Sequence, residues 1–241
     1  MKKLFLFAAV MFSSISFSSC SEDGNKENQT SQKLLKQIEE ISADKTIYYD
    51  FSYDDQQRLA KVIVDGDICY SNGDFTYTYT DNSVGVKFNS SCGDEYSYDA
   101  AFALDHNGYV TEFDINGKIN WRYEYENGYV SKKQSTSVVS PLFWTYRWEN
   151  GNLMEQRNSY SNSTTYTYTD KPNKLNINLF DAKFGLGIFV HVGFLATNFK
   201  GSIPSNYPAS ADNSNIYYEY DDEGYPTQIV GPNANYILTY Y

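Results

Sequence analysis

The stretch that decides the fold is Trp121-Arg122-Tyr123-Glu124-Tyr125-Glu126-Asn127-Gly128-Tyr129-Val130. Aromatic and polar residues alternate over its first five positions, which is the period of a β-strand with one buried face. Asn-Gly then supplies two residues that tolerate positive φ, as a tight hairpin turn requires. A second run opens directly afterwards. The stretch therefore predicts a β-hairpin whose aromatic side chains precede the turn and share one face.

The same pattern recurs along the chain, about every 20 to 26 residues, as the units of β repeats do. Other copies begin at Tyr49, Trp144, Tyr166 and Tyr218, and partial copies lie at residues 75–81 and 236–240. Because every copy sets its aromatic residues in the same phase, neighbouring hairpins should line one face of a sheet with aromatic ladders. The residues between them face water in this prediction: Arg122, Glu124, Thr145, Arg147 and Glu219.

Length and composition fit one β-rich domain. The chain has 241 residues, 41% of them apolar, and 24 are tyrosines, which favour strands. The formal net charge is −11. An acidic domain repels phosphate backbones, so nucleic acid is not an expected partner.

The first twenty residues resemble a lipoprotein signal sequence. Met1-Lys2-Lys3 is basic, residues 4–11 are an apolar run too short to span a bilayer, and Ser18-Ser19 precede Cys20. We therefore predict a signal peptide over residues 1–19, lipidation of Cys20, a flexible tether over residues 20–32 and one domain over residues 33–241. The alternative is an ordinary secretory signal with an incidental cysteine.

Acidic residues follow the cysteine, as Ser21-Glu22-Asp23. In lipoproteins of Bacteroidetes, acids at this position resemble a signal for export to the outer face of the outer membrane. The expected location is thus the outer membrane, facing the cell surface. The alternatives are the periplasmic face and, for the acids themselves, the polar start of a tether.

Two segments depart from the hairpin pattern. Leu34, Leu35, Ile38 and Ile41 have helical spacing, yet Lys33-Leu34-Leu35-Lys36 resembles a strand opening in the repeat, so we predict a strand with an amphipathic helix as the alternative. Residues 176–214 form an apolar insert. An insert of this length should not lie in solvent, and we expect it to pack on the concave face as a short helix or irregular plug.

The C-terminal run Tyr218-Glu219-Tyr220-Asp221-Asp222-Glu223-Gly224-Tyr225-Pro226-Thr227-Gln228-Ile229 resembles the hallmark of a Bacteroidetes lipoprotein family of unknown function with a porin-like fold. Phe199-Lys200-Gly201-Ser202-Ile203-Pro204 resembles a loop that precedes it there. Tyr53-Asp54-Asp55-Gln56-Gln57-Arg58-Leu59 is similar to the Tyr-Asp repeats of Rhs-type proteins, with Gln57 in place of the usual Gly. The resemblance implies an all-β fold, a long antiparallel meander of roughly 14–16 strands curled into a barrel or half-barrel. It transfers no active-site residue.

Titratable residues do not form a recognisable catalytic or metal motif in the sequence. His106 lies in a turn, His191 lies between two valines, and Gly-x-Ser-x-Gly does not occur. Acidic turns such as Asp221-Asp222-Glu223-Gly224 lack the ligand spacing of calcium loops, so plain turns are expected, with weak calcium sites as the alternative. We predict no catalytic residue, metal or cofactor. In an oxidising compartment, Cys69 and Cys92 are expected to form a disulfide, since they are the two cysteines left beside Cys20.

The aromatic ladder is the feature of the sequence that can indicate a function. It forms either a buried core or an accessible stripe, in which Trp121, Trp144, Trp148 and Tyr146 stack on sugar faces. We therefore predict a non-enzymatic binding protein whose partner is a glycan or an envelope protein. The alternatives are a structural subunit of an envelope complex and a hydrophobic-ligand carrier lined by Phe189 and His191.

Lipidation of Cys20 is directly testable. Metabolic labelling with a fatty-acid analogue should mark the wild-type protein and leave Cys20→Ala unlabelled, because the cysteine thiol is the atom that accepts the lipid. Equal labelling of the two proteins would contradict the prediction.

Overall fold

The structure is a computed structural model that describes residues 32–66, 72–137, 141–175, 200–212 and 214–241. These residues are almost entirely β-strand. Within them no helix has the length and apolar character that crossing a membrane would require.

The described part contains seventeen strands and one short 3-10 helix, Asp94–Tyr96. The strands are β1 (Leu35–Ile41), β2 (Thr46–Tyr53), β3 (Leu59–Asp65), β4 (Gly73–Tyr79), β5 (Ser83–Ser90), β6 (Tyr98–Leu104), β7 (Val110–Ile115), β8 (Lys118–Glu126), β9 (Tyr129–Ser135), β10 (Phe143–Glu149), β11 (Asn152–Asn158), β12 (Ser163–Pro172), β13 (Asn206–Ala211), β14 (Ser214–Asn215), β15 (Tyr217–Tyr220), β16 (Pro226–Val230) and β17 (Asn235–Tyr240).

Each strand pairs antiparallel with its neighbour in the chain from β1 to β14 and again from β15 to β17. The last strand, β17, pairs with β1. A backbone hydrogen bond of 2.9 Å from Ile216 N to Ala209 O joins β13 to the chain entering β15. The meander is therefore a nearly closed barrel, as the sequence predicts.

The inner face of the barrel carries the core. In β2 the side chains of Ile47, Tyr49 and Phe51 are buried and the side chains between them are exposed. Neighbouring strands continue the inner row with Val62, Phe75 and Phe88, which belong to the same core, and the Phe75 and Phe88 rings stack with centroids 4.4 Å apart. Alternation of this kind buries one face of an antiparallel sheet and leaves the other to water.

One end of the barrel, here called the N-terminal rim, holds the start of β1 and the turns at residues 54–58, 80–82, 105–109, 127–128, 150–151 and 221–225. The Asn127-Gly128 and Asn150-Gly151 turns have positive φ at both residues, as two-residue hairpins need. The longer turns are built on an aspartate. Gln57 adopts φ +60° where Gly224 has +82°, so the glutamine accepts the conformation that glycine usually supplies.

Strands that meet through turns at the opposite rim separate as they approach the N-terminal rim. The β3–β4 ladder, for example, ends at Lys61 and Thr76, and the Tyr79 hydroxyl then donates a 2.7 Å hydrogen bond to Leu59 O. Burial raises the pKa of Tyr79 to about 12, so the hydroxyl keeps its proton at ordinary pH. We call such a bond, from an aromatic side chain to a carbonyl beyond the end of the ladder, a rim clasp.

Seven rim clasps span 2.6 to 2.8 Å in the described part of the barrel. The donor and acceptor residues are Tyr53 and Leu35, Tyr79 and Leu59, Tyr125 and Val110, Trp148 and Val130, Tyr168 and Leu153, Tyr218 and Pro208, and Tyr240 and Pro226. In six of these clasps the donor is the last aromatic residue of its copy of the sequence repeat, and in the copy that begins at Tyr218 it is the first. This residue is thus a hydrogen-bond donor as well as a packing residue.

The structure can be compared with three sequence-based predictions about individual segments. Residues 35–41 form a strand, which confirms the strand interpretation over the helix. The repeat copy that begins at Tyr166 predicts a hairpin turn directly after it, near residues 170–173, and this prediction is wrong, because β12 runs to Pro172 and pairs with β13 there. Of the insert, residues 176–199 lie outside the described residues, while residues 206–211 and 214–215 join the barrel wall as β13 and β14.

Removing one clasp should cost measurable stability. Tyr125→Phe deletes the hydroxyl that bonds Val110 O at 2.8 Å. The free energy of unfolding should fall by about 1 to 2 kcal/mol, since the carbonyl of the buried Val110 loses this donor. Tyr160→Phe is the control, because that side chain is 68% exposed and its loss should change stability by less than about 0.5 kcal/mol. Equal denaturation midpoints for the two variants would contradict the clasp's role.

Candidate functional site

The aromatic face is a buried core over one part of the barrel and a half-buried surface over another. Tyr49, Phe51 and Phe102 are at most 2% exposed. The predicted stacking residues Trp121, Trp144, Tyr146 and Trp148 are instead half-buried, on strands β8 and β10. The buried-core interpretation therefore holds for one sector of the barrel, and the stacking role of the half-buried residues in the other sector stays a prediction.

The four predicted stacking residues do not form one platform. Trp121 and Trp144 lie towards the rim opposite the N-terminal rim, with ring centroids 5.2 Å apart in an edge-to-face arrangement. Lys133 Nζ lies 4.6 Å from the Trp121 centroid and 5.6 Å from the Trp144 centroid, within cation–π range of both. The ammonium group therefore already covers aromatic surface that a sugar would use.

Trp148 and Tyr146 instead border a cleft at the N-terminal rim. The β9–β10 ladder ends at the pair Lys132 and Thr145, and the strands separate beyond it. The Trp148 indole N–H bridges the gap with its clasp to Val130 O, and the Tyr129 ring stacks on the indole with centroids 4.9 Å apart. A pocket of about 310 Å³ lies there, which we call the β9–β10 cleft.

Polar side chains surround the aromatic rings of the cleft. Its lining residues are Glu126, Asn127, Tyr129, Ser131, Tyr146, Arg147, Trp148, Asn150 and Gly151. The two Asn-Gly turns close one end, and the paired part of β9 and β10 closes the other. The cleft thus combines three aromatic rings with a carboxylate, a guanidinium group and two side-chain amides, which can bind a ligand with both flat apolar faces and hydroxyl groups.

Arg147 links the cleft to the outer wall. Its guanidinium pairs with the carboxylates of Glu149 and Glu155, the second across the β10–β11 ladder at 3.5 Å. A second hollow of about 300 Å³ lies on its far side, lined by Thr145, Tyr146, Arg147, Glu155 and Arg157. The hydrogen bond from Arg157, together with Arg147, holds the pKa of Glu155 below its ordinary value.

Residues 200–205 cross the N-terminal rim beside the cleft, and we call them the rim strap. Gly201 O accepts a hydrogen bond of 2.9 Å from Val130 N, and Ser205 N donates one of 2.9 Å to Gly151 O. Lys200 Nζ donates to Asn107 O at 2.8 Å. Because the strap bonds both turn regions that close the cleft, it fixes their separation.

The acidic turns are built by hydrogen bonds to the backbone. Asp105 Oδ1 accepts the N–H groups of Asn107 and Tyr109 at 2.8 and 2.9 Å, and Asp221 accepts the corresponding pair. The N–H of Tyr109 holds the pKa of Asp105 below its ordinary value. Among the described residues no group of three His, Cys, Asp or Glu side chains could hold a metal ion. His106 belongs to the Asp105 turn, where the sequence places it.

Cys92 is disulfide-bonded. Gly73 pairs with Ser90 in the β4–β5 ladder, so residue 92 lies at the end of the barrel where Cys69 is expected. Cys69 itself lies outside the described residues, as do Cys20, Phe189 and His191, and the predictions about them stay predictions.

Sequence reasoning missed Tyr129, Glu126 and the two turn asparagines as cleft residues. Tyr129 lies directly after the Asn127-Gly128 turn, beside Val130, where the hairpin pattern predicts only the opening of the second strand. The same position is Tyr109 before Val110 and Tyr225 before Pro226, and both rings also pack on the ring of a clasp residue. A repeated aromatic residue after the turn was the signal that could have identified this contact.

Two solved structures share the fold. A porin-like protein from Bacteroides uniformis has a TM-score of 0.63 at 13% sequence identity, covering 86% of this chain and 96% of that protein. A porin-like protein from Bacteroides vulgatus has a TM-score of 0.58 at 14% identity, covering 87% of this chain and 99% of that protein. No family model matches the chain, and no curated protein matches it. The chain is thus similar in fold to porin-like proteins of Bacteroides, which agrees with the fold that the sequence resemblance implies.

The strap contact should be sensitive to one methyl group. At residue 201 the backbone has φ +80°, and a Cβ would lie 2.4 Å from Gly128 O. Gly108 has nearly the same φ, +81°, but in the described part no heavy atom outside its chain neighbours lies within 4 Å of a Cβ there. Gly201→Ala should therefore lower the free energy of unfolding by about 2 kcal/mol more than Gly108→Ala, because both share the backbone strain and only one adds the clash. Chemical denaturation measures both, and equal losses would show that the strap moves away without cost.

Proposed function

We propose that the protein is a non-enzymatic, lipid-anchored binding protein of the outer membrane, exposed at the cell surface, and that it binds a glycan in the β9–β10 cleft. The observation that carries the proposal is the composition of this cleft, in which Tyr129, Tyr146 and Trp148 stand beside Glu126, Asn127 and Asn150. Sugars present flat apolar faces that stack on aromatic rings and hydroxyl groups that bond carboxylates and amides.

The size of the cleft fits a short part of a glycan. Its volume of about 310 Å³ is at the small end of ligand pockets. The separated stretch runs over residues 129–131 of β9 and 146–148 of β10, about 10 Å of strand. One or two sugar rings fill such a space, and the rest of a longer chain would continue past the rim.

The carboxylates of the cleft favour binding over hydrolysis. Glycoside hydrolysis commonly uses two carboxyl groups on opposite sides of the scissile bond. Among the described residues that line the cleft, Glu126 alone carries a carboxylate. The proposal therefore assigns it to hydroxyl recognition.

Attachment through Cys20 accounts for the polar outer wall. Ion pairs connect neighbouring strands there, such as Lys61 with Asp74 at 2.8 Å and Arg122 with Glu112 at 3.0 Å. Charged side chains on an outer wall are costly in lipid. A lipid anchor at the end of a tether would hold the domain at the membrane while this wall stays in water.

The start of the domain is fixed at the same rim as the cleft. Lys33 Nζ pairs with Asp221 at 2.8 Å and Glu223 at 3.1 Å, and Lys33 N donates to the Tyr225 hydroxyl. A tether over residues 20–32 would therefore leave the barrel at the N-terminal rim, and the proposal places the cleft on the anchored side of the domain.

A glycan array tests the proposal. The protein carrying Cys20→Ala is applied in its native buffer, and Tyr129→Ala in that background should weaken the strongest signal by at least about tenfold, because a stacking surface is removed. Trp144→Ala is the matched control, since it removes an aromatic ring near the opposite rim and should leave binding unchanged.

Two results would contradict the proposal. One is the absence of binding to any glycan of the array. The other is the reverse mutational pattern, with Trp144→Ala weakening binding and Tyr129→Ala leaving it intact, which would move the site to Trp121, Lys133 and Trp144.

A further inference from the structure

We infer that the β9–β10 cleft selects neutral saccharides and rejects those that carry a carboxylate or sulfate group. This inference rests on the proposed glycan-binding function and adds the chemical class of the ligand. It follows from the balance of charges in and around the cleft.

The positive charge of the cleft is already neutralised. Arg147 is the one cation among the described residues that line it, and its guanidinium pairs with both Glu149 and Glu155. Glu149 lies on β10 beside Arg147 and Glu155 lies on the neighbouring β11, so an anionic sugar would have to compete with both carboxylates for the same guanidinium. Glu126 adds a further carboxylate to the lining.

Two cations on the adjoining outer wall are also paired with carboxylates. Lys132 Nζ lies 3.1 Å from Glu124, and Arg157 lies 2.9 Å from Glu155. The whole chain has a formal net charge of −11. An acidic saccharide that approaches the cleft therefore meets the Glu126 carboxylate in the lining and the negative net charge of the chain as a whole.

A neutral saccharide meets complementary groups instead. The Glu126 carboxylate can accept hydrogen bonds from hydroxyl groups, and the side-chain amides of Asn127 and Asn150 can both donate and accept. Tyr129, Tyr146 and Trp148 supply apolar surface for the ring faces. Selectivity then comes from a repulsive element as well as from attractive contacts.

The test compares matched pairs of probes. The full-length lipoprotein in detergent micelles is titrated with galactan and galacturonan oligosaccharides of equal length, and with N-acetyllactosamine and its sialylated form. The neutral member of a bound pair should bind on the order of tenfold more tightly at low salt, and the ratio should shrink towards one at high salt, because the repulsion is screened.

The variant Glu126→Gln distinguishes the effect of the Glu126 carboxylate on selectivity from the effect of the net charge of the protein. In the variant the preference for the neutral member should shrink several-fold, because the amide removes one negative charge from the cleft lining. The ratio of the two affinities is the readout, since replacing a carboxylate acceptor by an amide weakens the hydroxyl contacts of both members alike. Glu219→Gln makes the same change in net charge on an exposed residue of β15 and should leave the ratio as it is.

An acidic member that binds as tightly as its neutral counterpart would overturn the inference and leave the glycan-binding function intact. A preference for the neutral member that neither salt nor Glu126→Gln reduces would also overturn it, because the cause would not be charge. If no member of either pair binds and the glycan array is also blank, the proposed function itself fails.

Discussion

Backbone carbonyls at the N-terminal rim impose the constraint on which the rest of the barrel depends. Strands that are joined at the opposite rim separate before they reach this one, so their last carbonyl groups leave the ladder. A half-buried carbonyl without a donor costs free energy comparable to a lost hydrogen bond. The rim clasps meet this demand, as in the bond from Tyr168 to Leu153 O. Six of the seven clasp donors are tyrosines, because one tyrosine supplies a buried ring and a hydroxyl donor that reaches the next strand.

The cleft is a product of the same separation of strands. Between β9 and β10 the donor is an indole N–H, from Trp148, and the neighbouring Tyr129 ring packs flat against it. Two Asn-Gly turns and the rim strap surround the gap. Other strand pairs also separate at this rim. Between β9 and β10 the gap forms a pocket that is lined by aromatic rings and bordered by polar side chains. Structure and binding chemistry share the same side chains there, so substitutions of Trp148 would alter both.

The all-β architecture can be predicted from the sequence because the same local hairpin pattern recurs along the chain. Alternation around Trp121, Tyr123 and Tyr125 with the following Asn-Gly turn determines strand, face and turn within ten residues. The predictions are wrong or incomplete where pairing between strands distant in the sequence determines the structure instead of the local turn residues. Asp170 and Pro172 read as a turn, yet β13 pairs with this segment from more than thirty residues away. The stacking residues were identified by type, but the separation of Trp144 from Trp148 into two environments depends on where the β9–β10 ladder ends, which composition does not encode.

The ends of the barrel sequence meet on the N-terminal rim. Tyr241 N donates a 3.0 Å hydrogen bond to Leu34 O, and β17 pairs with β1 along its length. The order of hairpins around the wall therefore has no structural starting point. A circular permutation that joins residue 241 to residue 34 by a short linker, and opens the chain at a turn of the opposite rim, would keep every neighbour relationship of the ring. A protein of this kind can gain or lose a hairpin, and alter its circumference, without changing the contacts that hold any other pair of strands together.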